Sequence, residues 1–197
     1  MRAEASPLLP PPDAGRVLLP LARAAIAREF GKTHPAAADA PWLHAPGACF
    51  VTLTEAGKLR GCIGTLRPHR PLLADVTANA VAAAFRDPRF RPLRESEFEA
   101  VELELSLLSP LESLVFADER DALARLRPGI DGVVFEYGRH SSTFLPQVWE
   151  ELREPAEFMA HLKYKAGLPP DFWDREVKLM RYTVAKWCES DLQTEHG

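Results

Sequence analysis

The segment Leu59-Arg-Gly-Cys-Ile-Gly-Thr65 places a thiol, a guanidinium and two glycines within seven residues. Side chains alternate across an extended strand, which predicts Arg60, Cys62 and Gly64 on one face and Leu59, Gly61, Ile63 and Thr65 on the other. A cation beside a thiol stabilises the ionised sulfur, which is the nucleophile, and glycine lets another molecule approach the backbone. Cys62 is therefore a candidate catalytic nucleophile, with Arg60, Gly61, Gly64 and Thr65 as candidate ligand contacts. The same residues also suit a structural role, with Cys62 as a small buried hydrophobe and the glycines marking a bulge.

Further side chains are candidates for the same chemistry. His161 and Lys165 lie four residues apart and share a helix face. His161 is a candidate catalytic proton acceptor if folding brings it to Cys62, and Lys165 a candidate anion contact. Both also fit a basic edge that complements a helix C-terminus. Gln147, at the end of Thr143-Phe-Leu-Pro-Gln147, can orient a polar ligand, while His140 falls in a turn where polar residues are expected. Glu102 and Glu104 share a strand face, and Asp87-Pro-Arg-Phe90 reads as a rigid loop joining Arg89 to a carboxylate.

The elements that must hold these residues follow from periodicity. Residues 16–30 carry apolar positions at helical spacing and end at Gly31, and residues 33–46 form a proline-rich connector anchored by Trp42. Residues 48–54 and 59–66 flank Glu55-Ala-Gly-Lys58 and read as a hairpin. If Glu55 pairs with Lys58, Cys62 falls opposite Val51 and diagonal to Cys49, roughly 7–8 Å away. Pro71 opens a helix that stops at Asp87-Pro88, and residues 101–107 alternate strictly as a strand. Residues 117–127 form a short charged helix, residues 132–137 and 142–145 a second hairpin, residues 155–166 a helix and residues 177–187 one strand. This irregular interleaving predicts an α+β fold with a mainly antiparallel sheet.

Composition bounds the rest. With 197 residues, 46% hydrophobic and 26% charged, the chain buries a full core without staples, which excludes disorder and coiled coil. Cysteines at 49, 62 and 188 form no CxxC pair, so no zinc site or cystine framework is read, no metal is assigned, and a cytoplasmic, reducing location is expected. No stretch reaches bilayer length and the proline-rich start lacks a signal-peptide core, so no membrane role is expected. The net charge of −4 argues against a general nucleic-acid coat, although a local basic cleft is compatible with it. Residues 1–15 read as a leader, 16–188 as one domain and 189–197 as a polar tail.

The Phe50-Val-Thr-Leu-Thr54 and Leu59-Arg-Gly-Cys-Ile-Gly-Thr65 segments resemble the signature of the AMMECR domain family, in bacteria also called AmmeMemoRadiSam system protein A. Asp87-Pro-Arg-Phe90 with Pro92-Leu93, Glu104-Leu-Ser106, Ser109-Pro110, residues 132–137, Thr143-Phe-Leu-Pro-Gln147 and Lys165-Ala-Gly-Leu168 extend the similarity over residues 16–187. Leu66 stands where the family often has an aromatic residue. The resemblance implies two lobes with the signature beside an interlobe cleft for a small molecule, nucleotide or peptide. It brings no established reaction and names no cofactor. Association links such proteins with Memo-like and radical SAM proteins, which suggests thiol-dependent modification chemistry. The alternative is a non-catalytic binding or adaptor module using the same cleft.

Overall fold

The computed structural model describes residues 10–35 and 39–194. The fold is α+β, with two antiparallel four-stranded sheets. The described residues fall into two compact units, one comprising those up to residue 108 and from residue 185 onward, the other residues 109–184.

In the first unit, helix α1 (Gly15–Glu29) and helix α2 (Leu72–Phe85) cover one face of a sheet. Its strands are β1 (Cys49–Glu55), β2 (Lys58–Gly64), β3 (Val101–Leu108) and β8 (Val184–Cys188), in the order β2-β1-β3-β8. Alternation drives this arrangement. Cys49, Val51 and Leu53 of β1 and Val101, Leu103, Leu105 and Leu107 of β3 point to the helices and form the core with Leu18, Ile26, Val76 and Ala80. Phe50, Thr52, Glu102 and Glu104 are then left on the opposite face, half-buried. Trp42 is buried in the core as its anchoring role requires.

The second unit holds strands β4 (Glu112–Leu114), β5 (Gly132–Tyr137), β6 (His140–Phe144) and β7 (Lys178–Tyr182), in the order β4-β7-β5-β6. Helices α3 (Glu119–Arg125) and α4 (Pro155–Lys165) accompany this sheet. Asp118 caps α3 by accepting the Asp121 N–H at 2.8 Å, a standard device for an otherwise unpaired first-turn donor. Phe158 stacks on Trp149 at 3.8 Å between ring centres, within the core of Val133, Phe135, Leu162 and Leu179.

Two expectations are corrected. Residues 177–187 are two strands, β7 and β8, which belong to different sheets and are interrupted at Thr183. Residues 189–194, read as part of a polar tail, form helix α5 (Glu189–Thr194). Glu189 accepts the Leu103 N–H at 2.8 Å and pairs with the buried Arg23, which fastens this segment to the first unit.

Candidate functional site

The site is built from one irregularity in the β1–β2 hairpin. Glu55 pairs with Lys58 as the turn requires, but the register slips by one residue between Leu53 and Thr54, leaving Arg60 as an extra, unpaired residue of β2. Beyond this bulge every side chain changes partner. Cys62 therefore lies opposite Thr52, not Val51, and on the face away from Cys49. The predicted Cys49–Cys62 diagonal does not exist, and all three thiols are free.

The bulge also separates Arg60 from Cys62. Arg60 turns toward residues 92–97, where its Nε and Nη2 donate to the Glu97 carboxylate at 3.2 and 3.4 Å. Nη2 also donates to the Pro92 carbonyl, at 3.4 Å. Arg60 is only 8% exposed, and its guanidinium holds Glu97 below the usual carboxylate range. Its Nη1 is buried without a partner among the described residues.

The cation beside Cys62 is Arg89. Asp87 Oδ2 accepts the Cys62 N–H at 2.9 Å, and Arg89 Nη2 donates to the Cys62 carbonyl at 3.3 Å. The two side chains are themselves joined, Nη2 to Oδ2 at 2.7 Å and Nε to Oδ1 at 3.0 Å. Because β2 is the edge of its sheet, these groups satisfy an outward N–H and C=O that no strand reaches. Arg89 and the Cys62 N–H hold Asp87 far below the ordinary aspartate range, and Asp87 raises Arg89 in return.

Since its backbone points outward, Cys62 forms a non-hydrogen-bonded pair with Thr52, the arrangement that brings facing side chains closest. Thr52 Oγ1 donates to Cys62 Sγ at 3.3 Å. Thr52 pairs in turn with Glu104 of β3. Glu104 Oε2 lies 2.7 Å from Lys186 Nζ and accepts from Cys188 Sγ at 3.6 Å. A thiol, a hydroxyl, a carboxylate, an amine and a second thiol thus run across the sheet on the face away from α1 and α2. Burial and the Glu104 charge push the Cys188 thiol up to about 11. Burial, followed by the Asp75 charge, pushes Cys49 far above the normal thiol range.

The glycines of the segment are already occupied by protein. A Cβ on Gly61 would stand 2.1 Å from the Ala83 carbonyl oxygen of α2, and one on Gly64 2.2 Å from the Phe50 ring. Gly61 admits the helix backbone and Gly64 the aromatic ring, so neither presents bare backbone to a ligand. Thr65 is likewise committed, donating to Asp75 Oδ1 at 2.8 Å and accepting from Asn79 Nδ2 at 3.1 Å. Asp75 is fully buried and also receives Arg70 Nε at 2.8 Å and the Cys49 N–H at 3.0 Å.

The remaining candidates belong to the second unit. Lys165 Nζ donates to the Thr143 carbonyl at 2.9 Å, beside the Phe144 ring, and so tethers edge strand β6. His140 Nδ1 contacts the Ala166 carbonyl at 2.9 Å. His161 and Gln147 are exposed. Sequence reasoning did not join Arg89, Thr52 and Glu104 to Cys62. Period-two alternation on β1 and β3 carried part of that signal, and the glycines suited a bulge, but strand alternation alone did not give its position at Arg60 or the change of partners beyond it. Among the described residues no group of three or more His, Cys, Asp or Glu side chains is arranged to hold a metal ion. No described helix is long and apolar enough to cross a membrane.

A family model described as AMMECR1 matches residues 19–187. A protein of Methanothermobacter thermautotrophicus is 38% identical over 175 residues, covering 86% of this chain and 91% of that protein. One from Methanocaldococcus jannaschii is 41% identical over 151 residues, 75% of each chain. The crystal structure of an uncharacterized protein from Pyrococcus horikoshii superposes with a TM-score of 0.76 at 34% identity, covering 89% of this chain and 91% of that one.

Proposed function

The chain belongs to the AMMECR1 family, and on that premise we propose that it holds a ligand on the face of the first unit's sheet away from its helices, with the Cys62 thiol as reacting group. The observation that carries this reading is the half-buried Cys62, whose sulfur accepts the Thr52 hydroxyl while its own backbone is clasped on the outer edge by Asp87 and Arg89. A nucleophile fixed on a strand by hydrogen bonds on both sides is preorganised. Covalent capture by it balances simply. Sulfur bonds to an electrophilic carbon, the leaving group departs with its electron pair, and the thiol proton passes to solvent. Association with Memo-like and radical SAM proteins would place this capture within a modification pathway, which co-purification of the three proteins tests.

Alkylation with iodoacetamide, read by peptide mass, tests the chemistry. Cys62 should be modified ahead of Cys188 and Cys49, and Cys62→Ser should remove the fast phase. Modification of Cys62 no faster than that of buried Cys49 would overturn the reading.

A second reading rests on a different observation. Because Ala83 and Phe50 fill the two glycine positions and Glu97 engages Arg60, the Leu59 to Thr65 segment has a complete structural role, which suits a non-catalytic binding or adaptor protein. In that case Cys62→Ser retains ligand or partner, whereas Gly61→Val loses it together with the fold.

A further inference from the structure

Residues 60–97 contain seven arginines and four carboxylates, in a chain whose net charge is −4. Part of this excess lies beside β2 and just after α2. On the edge of β2 and the segment that follows α2, two carboxylates, Asp87 and Glu97, serve three guanidiniums, Arg60, Arg89 and Arg91. Arg91 Nη2 donates to Glu97 Oε1 at 3.1 Å, the same oxygen that receives Arg60 Nε. Arg86 and Arg94 stand exposed in the same segment.

Donors outnumber acceptors here even inside the protein, since Arg60 Nη1, on a residue 92% removed from solvent, finds no acceptor among the described residues. The outer guanidiniums are partly free. The side chains of Arg89 and Arg91 are 54% and 53% exposed. Arg89 spends Nε and Nη2 on Asp87 and Cys62, and Arg91 spends Nη2 on Glu97. Their remaining N–H groups form part of a fork whose planar geometry matches carboxylate and phosphate oxygens.

We infer that the ligand held at Cys62 carries an oxyanion, a carboxylate or phosphate group, received by Arg89, the guanidinium that contacts the Cys62 carbonyl. This rests on the reading of Cys62 as reacting group and adds the charge of what reaches it. The rigidity of the site supports it, because Asp87 fixes Arg89 by two hydrogen bonds, so little side-chain freedom remains to be lost when an anion arrives.

The test compares two alkylating agents on the full chain. Iodoacetate is anionic and iodoacetamide is its neutral analogue, and the rate of each at Cys62 is read by peptide mass against neutral 2-mercaptoethanol. The ratio of iodoacetate to iodoacetamide rates at Cys62 should exceed that of 2-mercaptoethanol about threefold, the scale of a partly exposed ion pair. It should fall toward the free-thiol ratio in Arg89→Gln, with the iodoacetamide rate of the same variant as the reference, and with rising ionic strength. Inorganic phosphate and acetate are then added separately as competitors. Stronger protection from iodoacetate by phosphate assigns a phosphoryl ligand, and stronger protection by acetate assigns a carboxylate. A ratio equal to that of 2-mercaptoethanol, with iodoacetamide still labelling Cys62, overturns the anion inference and leaves the role of Cys62 intact. Failure of both reagents at Cys62 overturns both.

Discussion

Asp87 closes the outer edge of β2 at Cys62, accepting its backbone N–H at 2.9 Å while steering Arg89 onto its carbonyl. A side-chain pair thereby does at one position what a neighbouring strand does along a whole edge. The carboxylate is almost fully buried, and an amide in its place keeps one oxygen for the Cys62 N–H but turns an NH2 donor toward the Arg89 guanidinium. Asp87→Asn should cost about 1–3 kcal/mol in urea unfolding at neutral pH. Arg89 and the Cys62 N–H depress the folded-state pKa of Asp87. Its contribution is therefore present in full above the unfolded aspartate value of about 4 and is lost progressively as pH falls below it. The gap in stability between wild type and Asp87→Asn should accordingly narrow from pH 7 to pH 3. A gap that stays constant would show that the charge of Asp87 contributes nothing.

The two signature glycines should differ in how their replacement is tolerated. At Gly61 the obstacle is the Ala83 carbonyl, which is helix backbone, so an alanine forces α2 away from β2. At Gly64 it is the Phe50 ring, which can rotate. Gly61→Ala should therefore destabilise by about 3 kcal/mol or more and Gly64→Ala by about 1–2 kcal/mol, the range of overpacked cores. Combining Gly64→Ala with Phe50→Ala should cost less than the sum of the single changes, because the second removes the clash created by the first. Strict additivity in thermal or urea unfolding would contradict the stacking of Phe50 on Gly64.

Thr52 offers a direct handle on the thiol. Its hydroxyl donates to sulfur at 3.3 Å, an interaction that is stronger when sulfur carries negative charge. Thr52→Val keeps the shape and removes the donor. Iodoacetamide should then modify Cys62 about fivefold more slowly, the equivalent of one ordinary hydrogen bond, whereas Thr52→Ser should retain the wild-type rate. Equal rates in wild type and Thr52→Val would deny the hydroxyl any part in the reactivity.

Much of the architecture was legible because it depends on local pattern. The alternation at residues 101–107, the turn at Glu55-Ala-Gly-Lys58 and the helix that ends at Asp87-Pro88 all appear where periodicity and turn residues place them. The site was less legible, because one inserted residue at Arg60 reassigns every partner beyond it, and its stabilising contacts lie with residues 92–97. A bulge of this kind is decided by tertiary packing, here the closeness of α2 at Gly61 and the pull of Glu97. Thr183 likewise ends one strand and begins the approach to another sheet with no glycine or proline to announce it. Composition made residues 189–197 read as a tail, since their polar side chains give no apolar stripe. Glu189 docks through hydrogen bonds instead.

That docking carries its own prediction. Arg23 of α1 is buried, donating to the carbonyls of Phe98 and Val101 as well as to Glu189, whose Oε2 also accepts the Leu103 N–H. Removing the carboxylate strands a buried cation and exposes one strand N–H, a combination more costly than the loss of a surface pair. Glu189→Ala should destabilise the protein by about 2–4 kcal/mol, and Glu189→Gln by less, because the amide still accepts from Arg23 and Leu103. Hydrogen exchange supplies a local readout. The Leu103 amide should lose protection in Glu189→Ala, while amides of β5 in the second unit keep theirs. Unchanged exchange at Leu103 would mean that α5 is an ornament of the sheet and not its fastening.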